Sequence, residues 1–278
     1  MVKKKNAEKM NRVLKSTPLK VYRIARDNKI ILLKCVGLDL LFLTAFIIMN
    51  LAFTNLVPQP NDMPFNVRGK LLISSLMLIG YIALTFLIYS FFKFLIMYHI
   101  KNIFTKSKLD FGRFKRFYYA NAALIVVFIL IFLLFAAGFI FTIKVDMIKI
   151  VRDVFLVIFA VVMYISMNTM HALFMQNDLR IGRLLGRTSD TIFNNLHHYL
   201  SIIVSTSVMA AVFAGVYYMF DWSVLHILGP AMQAFPVYYG YGVVSIIVTV
   251  VLAFGLLSFN RVYFYKLVSD LNSWTGRK

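Results

Sequence analysis

Residues 30–53 read IILLKCVGLDLLFLTAFIIMNLAF, and that stretch decides the fold. No proline interrupts it, and it exceeds the roughly 20 apolar residues a helix needs to cross a hydrocarbon core. It lacks the apolar–polar alternation of a barrel strand. Backbone groups surrounded by lipid have only each other to bond, so the run reads as a membrane helix. Runs of the same kind follow at 71–99, 118–141, 154–176, 199–220 and 239–263. The expected fold is all-α: a polytopic membrane helical bundle with six transmembrane helices.

Composition points the same way. Of 278 residues, 60% are hydrophobic and only 15% charged, against about 25% charged in soluble domains. Outside the spans, residues 1–29 form a basic N-terminal segment. Within it Thr17-Pro18 looks like a helix start, with Val21, Ile24 and Ala25 on one face and Lys20, Arg23 and Asp27 on another. Such a segment is either a short amphipathic helix lying in the membrane interface or an extension of the first span. The transmembrane domain is read as 30–268 and the C-terminal tail as 269–278. Pro58, Pro60 and Pro64 deny regular helix to the loop after the first span. The apolar joint at 221–238, with Gly229-Pro230 and Pro236, reads as a connection dipping into the interface.

Charge sets the expected orientation. Of the 30 Lys and Arg residues, 23 fall on the side of the two termini, while Arg68, Lys70, Lys144, Lys149 and Arg152 fall on the other and Lys34 and Lys93 lie inside spans. The positive-inside rule then places both termini in the cytoplasm of a cell-membrane protein. The net charge of +19 fits anionic lipid at the cytoplasmic face, with a protein partner also open. No basic patch is interleaved with the stacking aromatics of a nucleic-acid groove, so nucleic acid is not an expected partner.

Segments 17–99, 107–176 and 188–268 share one rhythm: a short polar or amphipathic lead-in, a span, a loop and a returning span. This reads as three tandem helical hairpins pointing the same way, unlike the inverted repeats of many transporters. Any six-helix chain with short loops would give a similar rhythm. In the fifth span Ala210/Ala214 and Ala211/Gly215 have small-xxx-small spacing, which permits close backbone approach; that helix is the expected centre of the bundle. The third, large and apolar from Leu124 to Phe135, is expected to face lipid.

An ionisable side chain inside a span is costly and therefore a functional candidate. Asp39 is the clearest, roughly 13 Å along the helix axis from the cytoplasmic start of the first span at 1.5 Å per residue. Lys93 and His99, Asn121, Asn168 and His171, and Asn260 and Arg261 lie at a similar level on other spans. Convergence of Asp39, Lys93, Asn168, His171, Asn260 and Arg261 would build a substrate-binding vestibule open to the cytoplasm, with Asp39 answered by Lys93, His171 or Arg261. The opposing explanation is snorkelling of Lys34, Lys93, His99 and Arg261 to the interface and ordinary interhelical bonding by the asparagines.

His197 and His198 are adjacent, so their rings diverge by about 100° and do not form a metal pair on one helix face. Cys35 is the only cysteine and Glu8 the only glutamate. With no HExxH, nucleophile elbow, P-loop or GxGxxG in the chain, neither enzymatic activity nor a cofactor or metal is expected. Asp27, Asp110 and Asp190 fall in the lead-ins, where helix capping and dipole effects explain them. The arrangement loosely resembles the six-helix membrane domains found beside some glycerophosphodiester phosphodiesterases; no motif is shared, and no residue role follows from the likeness. The reading is a binding or transport protein for a small or lipid-like molecule. Its alternative is a structural or assembly protein with a lipid- or partner-binding basic face.

Overall fold

A computed structural model describes residues 17–56, 67–142, 148–228 and 235–275. Among them the chain forms eight helices: α1 (Thr17–Asp27), α2 (Lys29–Leu56), α3 (Val67–Phe104), α4 (Gly112–Thr142), α5 (Ile148–Gln176), α6 (Ile181–Phe193), α7 (Leu196–Leu228) and α8 (Phe235–Thr275). Six of these, all except α1 and α6, are long and apolar enough to cross a membrane. The protein is an all-helical, multi-pass integral membrane protein. The basic N-terminal stretch 1–16, the proline loop 57–66 and the last three residues lie outside the described region.

The helices outrun the expected spans at both ends of the bundle. α3 has 38 residues and α8 has 41, or about 57 and 61 Å at 1.5 Å per residue, twice the roughly 30 Å hydrocarbon core. The surplus follows from the absence of any proline or glycine between Ser90 and Phe104 or between Leu256 and Thr275, so nothing in the sequence stops either helix at the membrane boundary. Part of the expected joint 221–238 is likewise helical, since α7 continues to Leu228. The six spans alternate in direction. The start of α2, the ends of α3, α5 and α8 and the starts of α4 and α7 therefore share one end of the bundle, called the basic end here for the Lys and Arg residues that crowd it.

Two short amphipathic helices close that end. Val21 and Ala25 of α1, one turn apart, are buried against the bundle while Lys20, Arg23 and Arg26 stay exposed. Leu184 and Thr188 do the same for α6. α1 packs on α8 and α2; α6 packs on α5, α4 and α7. The second lead-in differs: residues 105–111 are irregular, and Asp110 accepts a bond from the Gly112 amide at 2.9 Å to start an unbroken α4.

The expected centre is displaced. α8 packs on α1, α2, α3, α5 and α7, whereas the main neighbours of α7 are α8 and α6. Ala211, Ala214 and Gly215 face the surroundings, and a Cβ added at Gly215 would meet nothing within 4 Å. Small residues permit close packing but do not compel it, and bonding polar groups on α8 outcompete them. α4 is exposed as expected at Val126, Val127 and from Ile129 to Leu134, but Leu124 and Phe128 are buried against the bundle.

Candidate functional site

The site is built where α2, α3, α5 and α8 meet near the basic end. Asp39 and Arg261, on the first and last spans, form a fork-to-fork pair: Nη1 donates to Oδ2 at 2.6 Å and Nη2 to Oδ1 at 3.0 Å. Their side chains are 5% and 9% exposed. The planar guanidinium suits this role because two parallel bonds fix its orientation as well as its charge.

Lys93 on α3 is also buried, and its Nζ donates to Asn168 Oδ1 at 3.4 Å. Among the described residues, no carboxylate lies within ion-pair distance of Lys93. Two buried basic side chains thus accompany one buried carboxylate. Asn168 in turn donates to the carbonyl of Tyr164 at 2.9 Å.

His171 stands apart from Asp39. Its Nε2 meets Asn121 Oδ1 at 2.6 Å, and Asn121 donates to Ser90 Oγ at 3.3 Å, which links α5, α4 and α3. Its ring packs on Phe117, 4.9 Å between centroids, while Nδ1 has no partner among the described residues. Asn260 bridges α5 and α7 from α8, donating to the Tyr164 hydroxyl and accepting from Thr206 at 3.1 Å. Of the three candidates to answer Asp39, Arg261 does so directly. The six expected residues all lie at one level, in one ion pair and three adjoining hydrogen-bond groups. His99 is only half-buried and Lys34 is exposed.

Three participants escaped sequence reading: Tyr164, Ser90 and Thr206. Tyr164 carried a signal, since it lies four residues before Asn168 on the same helical face. Ser90 and Thr206 carried none, because serine and threonine also bond their own helix without consequence.

The chain matches no protein-family model, and no curated protein or solved structure is significantly similar to it. Function is therefore argued from this geometry alone. His197 and His198 place their ring centroids 3.6 Å apart. Among the described residues no group of three His, Cys, Asp or Glu side chains is arranged for a metal ion.

The level of the site matters. Along α8, Arg261 lies 22 residues from Tyr239, where the apolar span begins, or about 33 Å; Lys93 lies 24 residues from Gly69 on α3, about 36 Å. Those distances match or slightly exceed the thickness of the hydrocarbon core. Lys93 and Arg261 therefore lie toward the basic ends of their apolar spans, while Asp39, 16 residues from Asn55 on α2, or about 24 Å, lies deeper within its own.

Proposed function

We propose that this is a non-enzymatic protein of the cell membrane, with both termini cytoplasmic, that binds or transports an anionic small or lipid-like molecule at the cluster around Lys93. The observation that carries this reading is a buried lysine without an acidic partner, which an incoming anion would hold in its charged form. Asp39 and Arg261 neutralise each other, while Lys93 has one long hydrogen bond to an amide and no acid. An uncompensated buried ammonium costs several kcal/mol, and an anion beside it removes that cost. Phosphate or carboxylate at the depth of the headgroups has the required sign and position. Apolar helix surfaces above the cluster suit a lipid-like body better than a hydrated one.

The test is Lys93→Met, assayed for binding of a spin-labelled phosphatidylglycerol to purified protein in phosphatidylcholine vesicles. Binding is expected to weaken about tenfold, equivalent to ~1.4 kcal/mol, with thermal stability equal to or above that of the unmodified chain because a buried charge has been removed. Unchanged binding would overturn the reading.

A second reading has its own observation. Asp39, Lys93, Asn168, His171, Asn260 and Arg261 are all 8% exposed or less, which suits a clamp joining helices in a structural or assembly protein. Exposed Lys106, Lys108 and Lys115 would then hold anionic lipid or an acidic partner. In that case neutralising these lysines weakens binding in a salt-dependent way, and Lys93→Met is silent.

A further inference from the structure

A second feature lies on the opposite side of α8 from the charged cluster. α1, α7 and α8 enclose an open groove of about 650 Å³ whose walls include Leu19, Tyr22, Val204, Val208, Met209 and Phe259. It extends along α7 from Leu200 to Met209, about 13 Å at helical rise, starting at the basic end and running toward the middle of the bundle. Its polar potential is largely spent. Ser201 on its wall donates to the His198 carbonyl at 2.7 Å and lies 3.1 Å from the Tyr263 hydroxyl. What remains is an apolar trough of acyl-chain proportions, open to the side.

Charge stands at one end of it. At 100° per residue, Leu19, Tyr22, Arg23 and Arg26 of α1 fall within about 100° of arc, so the two residues that line the groove and two arginines share one side of the helix. Both arginines are exposed; Arg26 reaches Asp27 at 3.2 Å through Nε, and Arg23 forms no ion pair among the described residues. Val21 and Ala25, on the other side, hold α1 against the bundle. An amphipathic helix seated this way presents guanidinium groups at headgroup level, directly above an apolar trough.

We propose that this groove is a binding site for an anionic phospholipid of the basic-end leaflet, with one acyl chain between α7 and α8 and its phosphate on Arg23 and Arg26. The site is separate from the Lys93 cluster and does not depend on ligand binding there. The apolar trough selects a chain, the paired arginines select a negative headgroup, and their adjacency selects a molecule that carries both. A zwitterionic lipid satisfies the trough and offers the same phosphate, but its choline adds a positive charge beside the arginines, which an anionic headgroup does not.

The experiment uses the full chain in nanodiscs of phosphatidylcholine doped with phosphatidylglycerol, with lipids retained after mild detergent extraction counted by native mass spectrometry. The protein with Lys93→Met is expected to retain one phosphatidylglycerol in preference to phosphatidylcholine. Val204→Trp with Val208→Trp, at positions 62% and 57% exposed, should fill the trough without disturbing buried packing and abolish retention of that lipid. Arg23→Gln with Arg26→Gln should keep a retained lipid but lose the headgroup preference at least tenfold. Each variant is compared with its parent in a Lys93→Met background, so that the lipid counted is the one in the groove and not one held by the cluster. Thermal unfolding of each variant within a few degrees of the parent shows that the fold is kept. Equal retention and equal preference in the tryptophan and glutamine variants would overturn the proposal, as would a Lys93→Met parent that retains no phosphatidylglycerol at all.

Discussion

At the basic end, residues Ser258 to Tyr265 of α8 are buried all round, beside an ion pair and three hydrogen-bond groups; toward the far end the same bundle leaves Leu134 74%, Ile246 66% and Ile227 76% exposed. Both regions are made of the same apolar helices, so hydrophobicity does not separate them. Lipid tails solvate leucine as well as a neighbouring helix does, and association within lipid depends on packing and polar contacts. The bonds named above that join one hairpin to another all lie in the basic half: Asp39–Arg261, Lys93–Asn168, Asn121–Ser90 and Asn260–Tyr164. Far-half contacts join partners within a hairpin, as with Asn50–Tyr81 between α2 and α3 and Tyr217–Ser245 between α7 and α8. The stack of Phe132 and Phe135 with Phe155 does the same for α4 and α5. Among the described residues, the polar bonds that join one pair of successive spans to another are gathered at one end of the bundle.

The comparison is most severely tested at the Asp39–Arg261 pair. Arg261→Leu leaves Asp39 buried without its partner and is expected to destabilise the protein by about 3–5 kcal/mol, read as loss of monodisperse protein or a large drop in unfolding temperature. Adding Asp39→Leu should recover most of that loss, since an apolar pair of similar volume is often neutral. If the double variant is as unstable as the sum of the singles, the two residues do not act as a pair.

Packing should show the same asymmetry on a smaller scale. Leu173→Ala, at a fully buried position, is expected to cost about 2–4 kcal/mol through lost contacts and the cavity left behind. Leu134→Ala should stay within about 0.5 kcal/mol. Equal costs would mean that the far half is as well packed as the basic half. Asn121→Ala, which removes bonds to His171 and Ser90, should cost on the order of 0.6–1.7 kcal/mol, measured by unfolding in detergent. The smallest effect belongs to Gly215→Ala, expected to be neutral or stabilising by up to about 1 kcal/mol from helix propensity alone. A destabilised variant there would restore α7 to the packing role that its small residues advertise.

Span number and helical class were legible because each crossing needs an uninterrupted apolar run, and those runs are plain in the sequence. The level of the polar cluster was legible for the same reason: Asp39, Lys93, His171 and Arg261 stand out against apolar neighbours, and counting along each helix places them at one depth. Partner choice was not legible. Whether Asp39 meets Arg261 or Lys93 depends on helix rotation and neighbour order, which apolar helices with nearly featureless faces do not encode. The misplaced centre has a related cause. The small residues of α7 resemble a packing motif, but close approach is only one of several ways to hold helices together, and here the bonds formed by Asn260 and Arg261 draw α8 inward instead. Helix ends were underestimated because residues such as Lys266 and Asp270, which look like tail, pair one turn apart within a continuing helix.

The most direct test follows α8 along its length. Spin labels placed singly from 241 to 268, on a Cys35→Ala background in lipid, report collision with dissolved oxygen in the bilayer. Accessibility should be low at every position from 258 to 265, with no oscillation, and from 243 to 252 should be high with minima near Ser245, Val248 and Leu252. A regular 3.6-residue oscillation running unchanged through both stretches would contradict the account, because it would place α8 against neighbours on one face from end to end.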